Sequence, residues 1–411
     1  MSAVLGLLVV ALGGLIMGSG AWPFKLMRSY QFEHWWFIGM LVGLVVMPWT
    51  IVVAGCPHAW QSLAQVPWRA ILLGNLFSVG WGIANVLCGL CYVRIGVGLT
   101  GAILAGLGVS VGALTPMIFK GSGLFQSAPD LTSPAGIMVL IAVLVMLVGV
   151  ALASVAGFGR DRQLRKQRAT SVGFLGGLIM TVVAGILSSF MAFVFVYSQD
   201  PIVANLSVVS PRSEIKVTVE GRPELSKQYA VADDGGVSVG EGGSVDVGGA
   251  SAAEAARRIE GRLKSGPQPV GGSVLVSTGS IPATFGVFAV GLVGGALVNV
   301  GYAAYLLNKN RSWGVLLGSG KEFLLAILIG VNFSLAVALM GKGMLLLGAL
   351  GASIGFGIQQ AMQMTGAQLL GFVSGEWRGV QGRPRTQMYV AIAVLIVAAA
   401  IMAYGNRLAQ S

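Results

Sequence analysis

Between Asp130 and Arg160 the chain reads LTSPAGIMVLIAVLVMLVGVALASVAGFG, 29 residues without one Asp, Glu, Lys or Arg, followed at once by the basic run RDRQLRKQR over 160–168. About 20 apolar residues in a helix cross the hydrocarbon core of a bilayer, so this stretch predicts a transmembrane helix. The basic run marks the side on which the helix ends. Nine more charge-free runs cover 1–24, 34–68, 70–93, 95–119, 169–199, 265–308, 323–341, 343–375 and 386–406, which makes ten expected spans. Composition agrees: 55% of the 411 residues are hydrophobic and 10% are charged, against roughly 25% charged in soluble domains. The first run has no basic residue before it and no small-residue cleavage site leading into a soluble domain, so it reads as a retained helix and not a signal peptide.

The net charge of +11 speaks first to orientation, because Lys and Arg accumulate in cytoplasmic loops. Assigning alternate loops to opposite faces gives fourteen basic residues to one side: Lys25, Arg28, Arg94, Arg160, Arg162, Arg165, Lys166, Arg168, Lys309, Arg311, Lys321, Arg378, Arg383 and Arg385. The other side receives four, Arg69, Lys120, Lys342 and Arg407. Both termini are therefore expected outside the cell. The basic excess points to a lipid bilayer and not to nucleic acid. Cys56, Cys88 and Cys91 are too few for a disulfide framework.

Residues 201–282 are a different material, rich in Gly, Ser, Val and charges, with a low-complexity centre from Asp233 to Gly249. This segment reads as an extramembrane insertion between the sixth and seventh helices, on the same side as the termini and partly disordered. Two elements stand out in it: a strand from the alternation of Ile215 to Val219, and a short amphipathic helix over Ala252 to Leu263. The expected organisation is residues 1–200 as the first five-helix repeat plus helix six, the insertion, and 283–411 as the helices completing the second repeat.

An internal repeat supports that division. Ala105-Gly106-Leu107-Gly108-Val109-Ser110-Val111-Gly112 matches Gly348-Ala349-Leu350-Gly351-Ala352-Ser353-Ile354-Gly355 at small and apolar positions. An odd number of helices per copy turns the second copy over in the membrane, the inverted-repeat plan of many transporters. The fold class expected is an all-α membrane protein of about ten helices in two inverted halves.

Enzyme chemistry has no visible toolkit. Gly96 to Gly101 fits GxGxxG but follows a membrane helix instead of a strand. Gly108 to Gly112 and Gly351 to Gly355 fit GxSxG without a strand-to-helix turn, and His34 and His58, the two histidines, lie near helix ends. No Walker loop, zinc spacing or paired carboxylates appear, so no catalytic residue, metal or cofactor is expected. Outside the insertion the acidic residues are Glu33, Asp130, Asp161, Asp200, Glu322 and Glu376.

Trp22-Pro23-Phe24-Lys25, Met47-Pro48-Trp49, Trp81-Gly82-Ile83-Ala84-Asn85, Thr115-Pro116, Gly375-Glu376-Trp377 and Gly382-Arg383-Pro384 resemble the L-rhamnose/proton symporter family of the drug/metabolite transporter superfamily. The resemblance is strongest over residues 18–119 and recurs over about 371–405. It implies ten helices, a bacterial inner (plasma) membrane, and import of a deoxyhexose coupled to protons. The insertion has no counterpart in that pattern, and helices eight and nine are more aliphatic than it.

A sugar site needs amides or hydroxyls for ring hydroxyls and an aromatic face for the C–H surface. Asn75, Ser78, Trp81 and Asn85 share one broad helical face, and interhelical hydrogen bonding is the competing role for each Asn. Asn299, Tyr302 and Tyr305 form a second stripe, and Gln359, Gln360 and Gln363 a third cluster. The substrate-binding candidates are Asn75, Ser78, Trp81, Asn85, Asn299, Tyr302 and Gln360. Proton coupling uses an ionisable group near the membrane region; Glu33, His34 and Glu322 are the candidates, with helix-end anchoring as the rival role. Lys25 is a candidate gate.

The reading is a secondary transporter, monomer or homodimer, importing a small neutral sugar with protons by alternating access. The alternatives are a membrane sensor or scaffold whose external insertion binds a ligand, and a facilitator or efflux transporter for another metabolite.

Overall fold

The computed structural model describes residues 2–95, 97–118, 130–164, 174–219, 222–240, 243–265, 272–347 and 351–408. Gly96 of the GxGxxG match, Lys120, the anchor residues Arg165, Lys166 and Arg168, and Gly348 to Leu350 of the repeat lie outside the described residues. The chain divides into two compact units. One comprises Met1–Met47, Asn75–Val196 and Leu292–Ser411, and the other Pro48–Gly74 and Tyr197–Gly291.

The protein is a predominantly helical, multi-pass membrane protein. Among the described residues, seven stretches are long and apolar enough to cross a bilayer: Val4–Leu26, Phe32–Gly55, Trp68–Cys91, Pro134–Arg160, Gly176–Leu206, Gly320–Met344 and Arg383–Gly405. An eighth reaches that length when Ile281–Gly291 and Val293–Lys309 are counted together. The helices of the chain are α1 (Ser2–Ser19), α2 (Phe32–Leu41), α3 (Met47–Gly55), α4 (Ala59–Ala64), α5 (Trp68–Ile95), α6 (Val97–Ile118), α7 (Pro134–Gln163), α8 (Phe174–Ser188), α9 (Phe190–Leu206), α10 (Ala252–Lys264), α11 (Ile281–Gly286), α12 (Val293–Lys309), α13 (Gly320–Leu347), α14 (Gly351–Val373) and α15 (Arg383–Leu408). Asp200 and Pro201 sit inside α9, so this helix continues past the charge that closes the run 169–199.

In the larger unit, packing is decided by side-chain size. On α1, Val4, Leu5, Leu8 and Leu12 are exposed, while Gly6, Gly13, Gly14 and Gly18 face neighbouring backbones. A Cβ on Gly13 would stand 2.9 Å from the Ala336 carbonyl oxygen of α13, and one on Gly14 2.5 Å from the Gln359 carbonyl of α14. Small residues allow such approach where lipid supplies no hydrophobic drive between helices. Gly39 of α2 and Gly330 of α13 meet in the same way, with a Cβ on Gly330 placed 2.5 Å from the Gly39 carbonyl. Helices α7 and α15 run antiparallel along their length, since Gly405 lies against Met138 and Ala135, Gly149 against Leu395, and Gly159 against Pro384.

The smaller unit holds the insertion, which is folded. Strands β1 (Glu214–Val219), β2 (Gln228–Ala230) and β5 (Val274–Ser277) make an antiparallel sheet in the order β2-β1-β5, and β3 (Gly236–Ser238) pairs with β4 (Ser244–Asp246). Val217 stands opposite Val276, and Val219 opposite Val274. The inward residues of this sheet meet Ala252, Ala255, Ala256, Ile259 and Leu263 of α10 in one apolar cluster. Ser251 caps α10, its Oγ accepting from Glu254 N at 3.2 Å, a contact worth about 1 kcal/mol. The described residues of the low-complexity centre are thus structured, where partial disorder was expected. Gly235 and Gly243, at φ +83° and +82°, take backbone conformations that side chains disfavour, so the glycines there serve turns.

Candidate functional site

A cavity of about 810 Å³ lies within the larger unit. Its wall carries Trp81 and Asn85 from α5, Gln359, Gln360 and Gln363 from α14, and Trp36 from α2. Trp81 is 8% exposed and stacks on Phe333 of α13 with ring centroids 6.2 Å apart. Gln359 Nε2 donates to Gln363 Oε1 at 2.8 Å, one turn on. Trp36 Nε1 and Trp377 Nε1, both on wall residues, are buried with no hydrogen-bond acceptor among the described residues. Unmet buried donors are costly. The wall therefore combines aromatic faces with amide groups.

Three of the seven residues expected to bind substrate line this cavity: Trp81, Asn85 and Gln360. The other four do not line it. Asn75 Oδ1 accepts from Gly294 N at 2.8 Å, and Ser78 Oγ from Gly295 N at 2.6 Å. These are first-turn amides of α12, which lack partners inside their own helix, so Asn75 and Ser78 cap that helix from α5. Asn299 is fully buried, donates to the Gly295 carbonyl at 2.8 Å, and accepts from Asn85 Nδ2 at 3.4 Å. Asn299 thus reaches the cavity through Asn85. Tyr302 stacks on Tyr305 at 6.4 Å.

The residues singled out for proton coupling hold loops together. Glu33 Oε1 accepts from Asn310 Nδ2 at 2.8 Å. His34 Nδ1 accepts from Gln31 N at 3.0 Å, closing the N-terminus of α2, and its Nε2 lies 3.3 Å from the Ser312 carbonyl. The Glu322 carboxylate accepts from the backbone N–H groups of Arg28 at 2.9 Å, Ser29 at 3.1 Å and Tyr30 at 2.7 Å. Burial, and then the Glu322 charge, push the Tyr30 phenol above its ordinary range. None of the three residues lines the cavity.

Lys25 does not line the cavity but pairs with Glu376, which does. Its Nζ lies 2.5 Å from Glu376 Oε1 and donates to Ser374 Oγ at 2.5 Å, and Arg160 reaches Glu376 Oε2 at 3.1 Å. The Arg160 guanidinium also stands over the Trp377 ring at 5.4 Å, and Trp377 stacks on Phe372. Arg160 was legible only as a loop anchor, and Glu376 and Trp377 only as part of a motif. Their meeting joins positions 216 residues apart, which no local pattern reveals.

The family model for the L-rhamnose-proton symport protein matches residues 2–210, slightly more than half of the chain. The protein belongs to the L-rhamnose-proton symport protein family. That family is one of symport proteins and not of enzymes. This member is 33% identical over 171 residues to the L-rhamnose-proton symporters of Yersinia pestis bv. Antiqua (strain Antiqua) and Yersinia pseudotuberculosis serotype O:3 (strain YPIII). The match covers 42% of this chain and 48% of each relative, so the chain spans about half the length of the curated relatives it matches. A second model, for polysaccharide biosynthesis/export proteins, matches residues 203–276, the folded insertion. The member of the symport family thus carries a segment similar to a different family.

Proposed function

We propose that the protein is a secondary transporter that imports a small neutral sugar, L-rhamnose or a close relative, together with protons. The observation that carries this reading is the cavity, of about 810 Å³ and so within the roughly 300–1,000 Å³ of ligand pockets. It offers indole and phenyl faces beside amides, and its charged wall residues among those described, Arg160 and Glu376, sit together at one end. A neutral polyol with an apolar face suits that lining. The names of the relatives, each an L-rhamnose-proton symporter, support the same substrate class.

In this reading Trp81, Asn85 and Gln360 touch the sugar, Asn299 holds Asn85 in place, and Asn75 and Ser78 maintain the start of α12. Ten spans make two inverted five-helix halves that alternate access: α1, α2 with α3, α5, α6 and α7, then α8 with α9, α11 with α12, α13, α14 and α15. The asymmetry of basic residues supports an inner-membrane orientation with both termini and the insertion outside, and Lys25 as a gate on the cytoplasmic side. Trp35, Trp36, Trp81 and Trp377 line the cavity, so L-rhamnose binding should change intrinsic fluorescence saturably in purified protein. No saturable change with any neutral hexose or deoxyhexose would count against the reading.

A further inference from the structure

A serine in an apolar run carries no pattern, so the sequence does not single out Ser188, yet the structure places it on the cavity wall. The membrane stretch Gly176–Leu206 is broken inside its length, where α8 ends at Ser188 and α9 begins at Phe190. A helix end leaves carbonyls without partners, and within a bilayer these must be met inside the protein. Ser188 Oγ donates to the Gly185 carbonyl at 2.7 Å, and Ser189 Oγ to the Ile186 carbonyl at 2.7 Å. The Ser188 proton is therefore committed, and its oxygen is left as an acceptor. Gln360 of α14 is the complement on the same wall. Its neighbours Gln359 and Gln363 bond to each other, whereas no group among the described residues pairs with the Gln360 amide. Gly108 of α6 brings the two groups to one place: a Cβ on it would stand 2.6 Å from Ser188 Oγ and 3.6 Å from Gln360 Nε2. One turn on, a Cβ on Gly112 would meet the ring of Phe356, another wall residue, at 2.7 Å. The two glycines of the GxSxG match thus seat a polar pair and an aromatic face, beside a break of the kind that carries substrate sites in many transporters.

We propose that Ser188 and Gln360 together recognise one hydroxyl of the sugar, the amide donating to its oxygen and Ser188 Oγ accepting its proton, with Gly108 as the positioning residue that lets both reach it. This rests on the transporter reading and makes its specificity explicit. A hydroxyl accepts and donates at once, so it answers both partners. The ring oxygen of a sugar accepts without donating, and a C–H group does neither. A ligand group that displaces water without reproducing its hydrogen bonds loses affinity, so the pair selects sugars that carry a hydroxyl at one ring position. Trp81 and Asn85 keep the contacts already described, and the pair adds a requirement that neither of them imposes.

The test measures equilibrium binding, by intrinsic fluorescence, of L-rhamnose and of analogues in which each ring hydroxyl in turn is replaced by hydrogen. In wild type the analogue lacking the recognised hydroxyl should bind about tenfold or more weakly, because two hydrogen bonds go with it. In S188A/Q360A that penalty should vanish, while the other analogues keep their wild-type ratios to L-rhamnose. If every analogue keeps its wild-type ratio in S188A/Q360A, the proposal is overturned. Should that double variant not fold, the same ratios are read in Q360A, where the one penalty should shrink and an unchanged set would again overturn the proposal. Gly108 gives a second readout. G108A should weaken L-rhamnose binding in wild type, since the added methyl displaces Ser188 Oγ, and cost nothing further in S188A, where the nearest remaining atom, Gln360 Nε2, stands 3.6 Å away. Equal losses from G108A in both backgrounds would contradict the positioning role. If wild type binds neither L-rhamnose nor any analogue, the transporter reading falls and this proposal with it, an outcome distinct from ratios that do not move.

Discussion

Gly18 of α1 lies so close to Gln363 of α14 that a Cβ on it would stand 1.9 Å from the Gln363 carbonyl oxygen. Because Gln363 lines the cavity, this approach fixes part of the site as well as the fold. G18A should therefore separate α1 from α14, at the roughly 1–3 kcal/mol of overpacking, and weaken sugar binding with it. G301A is the control: nothing stands within 4 Å of a Cβ there, and alanine should be neutral or stabilising by up to about 1 kcal/mol. Thermal unfolding and sugar titration of both variants check the pair.

Side chains on the wall should differ from those behind it. Q360A and N85A each remove a hydrogen-bonding group, and the loss of one such bond, about 0.5–1.5 kcal/mol, weakens affinity by roughly 2- to 13-fold. W81A should cost more, since it removes both the sugar's apolar platform and the stack on Phe333. N299A should lower affinity through Asn85 and also stability, because Asn299 is fully buried. S78A should act on stability alone. Equilibrium binding beside thermal unfolding separates these classes.

Cys88 provides a native reporter. It lines the cavity, whereas Cys91 is 0% exposed and Cys56 5% exposed. Maleimide should modify Cys88 first, and saturating L-rhamnose should slow that reaction. Labelling of Cys88 at the same rate with and without sugar would separate it from the binding site.

Glu322 should matter for stability and alkaline tolerance. E322Q weakens three hydrogen bonds from backbone N–H groups, each worth about 1.5–3 kcal/mol when the acceptor is charged, so Tm should fall while dependence of uptake on the proton gradient persists. The Tyr30 phenol is raised in the folded state. Its contribution to stability is accordingly complete below the ordinary tyrosine value near 10 and declines as pH climbs through the raised value. Stability of the wild type should drop more steeply above pH ~10 than that of E322Q, which keeps the burial effect but loses the charge. Thermal unfolding across pH 8 to 11 reads both slopes.

The insertion should respond separately from the cavity. Ile259 is 0% exposed in the cluster between α10 and the β2-β1-β5 sheet, and I259A should cost about 2–5 kcal/mol of that cluster's stability. Sugar binding by the same variant should match wild type, since no cavity residue belongs to the insertion. Protease sensitivity within 207–277, measured with binding, tests this.

Membrane helices were legible because an unpaired charge is costly in lipid, so charge-free runs mark apolar helices even without an alignment. Their ends were less so. The run 34–68 contains α3, ending at Gly55, and the separate helix α4, because a loop outside the bilayer need not carry charge. In the insertion, alternation at Ile215 to Val219 and the 3.6-residue period of α10 named real elements. Glycines that turn the chain at positive φ between the short strands looked like low complexity. Within the site, Trp81, Asn85 and Gln360 could be read because aromatic and amide groups are rare on lipid-facing helices. Asn75 and Ser78 shared that face, yet their partners are backbone amides more than 200 residues away. The place of Glu376 on the wall stayed hidden for the same reason: its ion-pair partner Lys25 is 351 residues away.

The central claim is tested most directly by uptake of labelled L-rhamnose into proteoliposomes holding the purified protein, with and without an inward proton gradient. Saturable uptake that rises above equilibrium only with the gradient, and is displaced by related deoxyhexoses, is the predicted result. Absence of flux for L-rhamnose and for every competing neutral sugar, in protein shown to be folded, would contradict it.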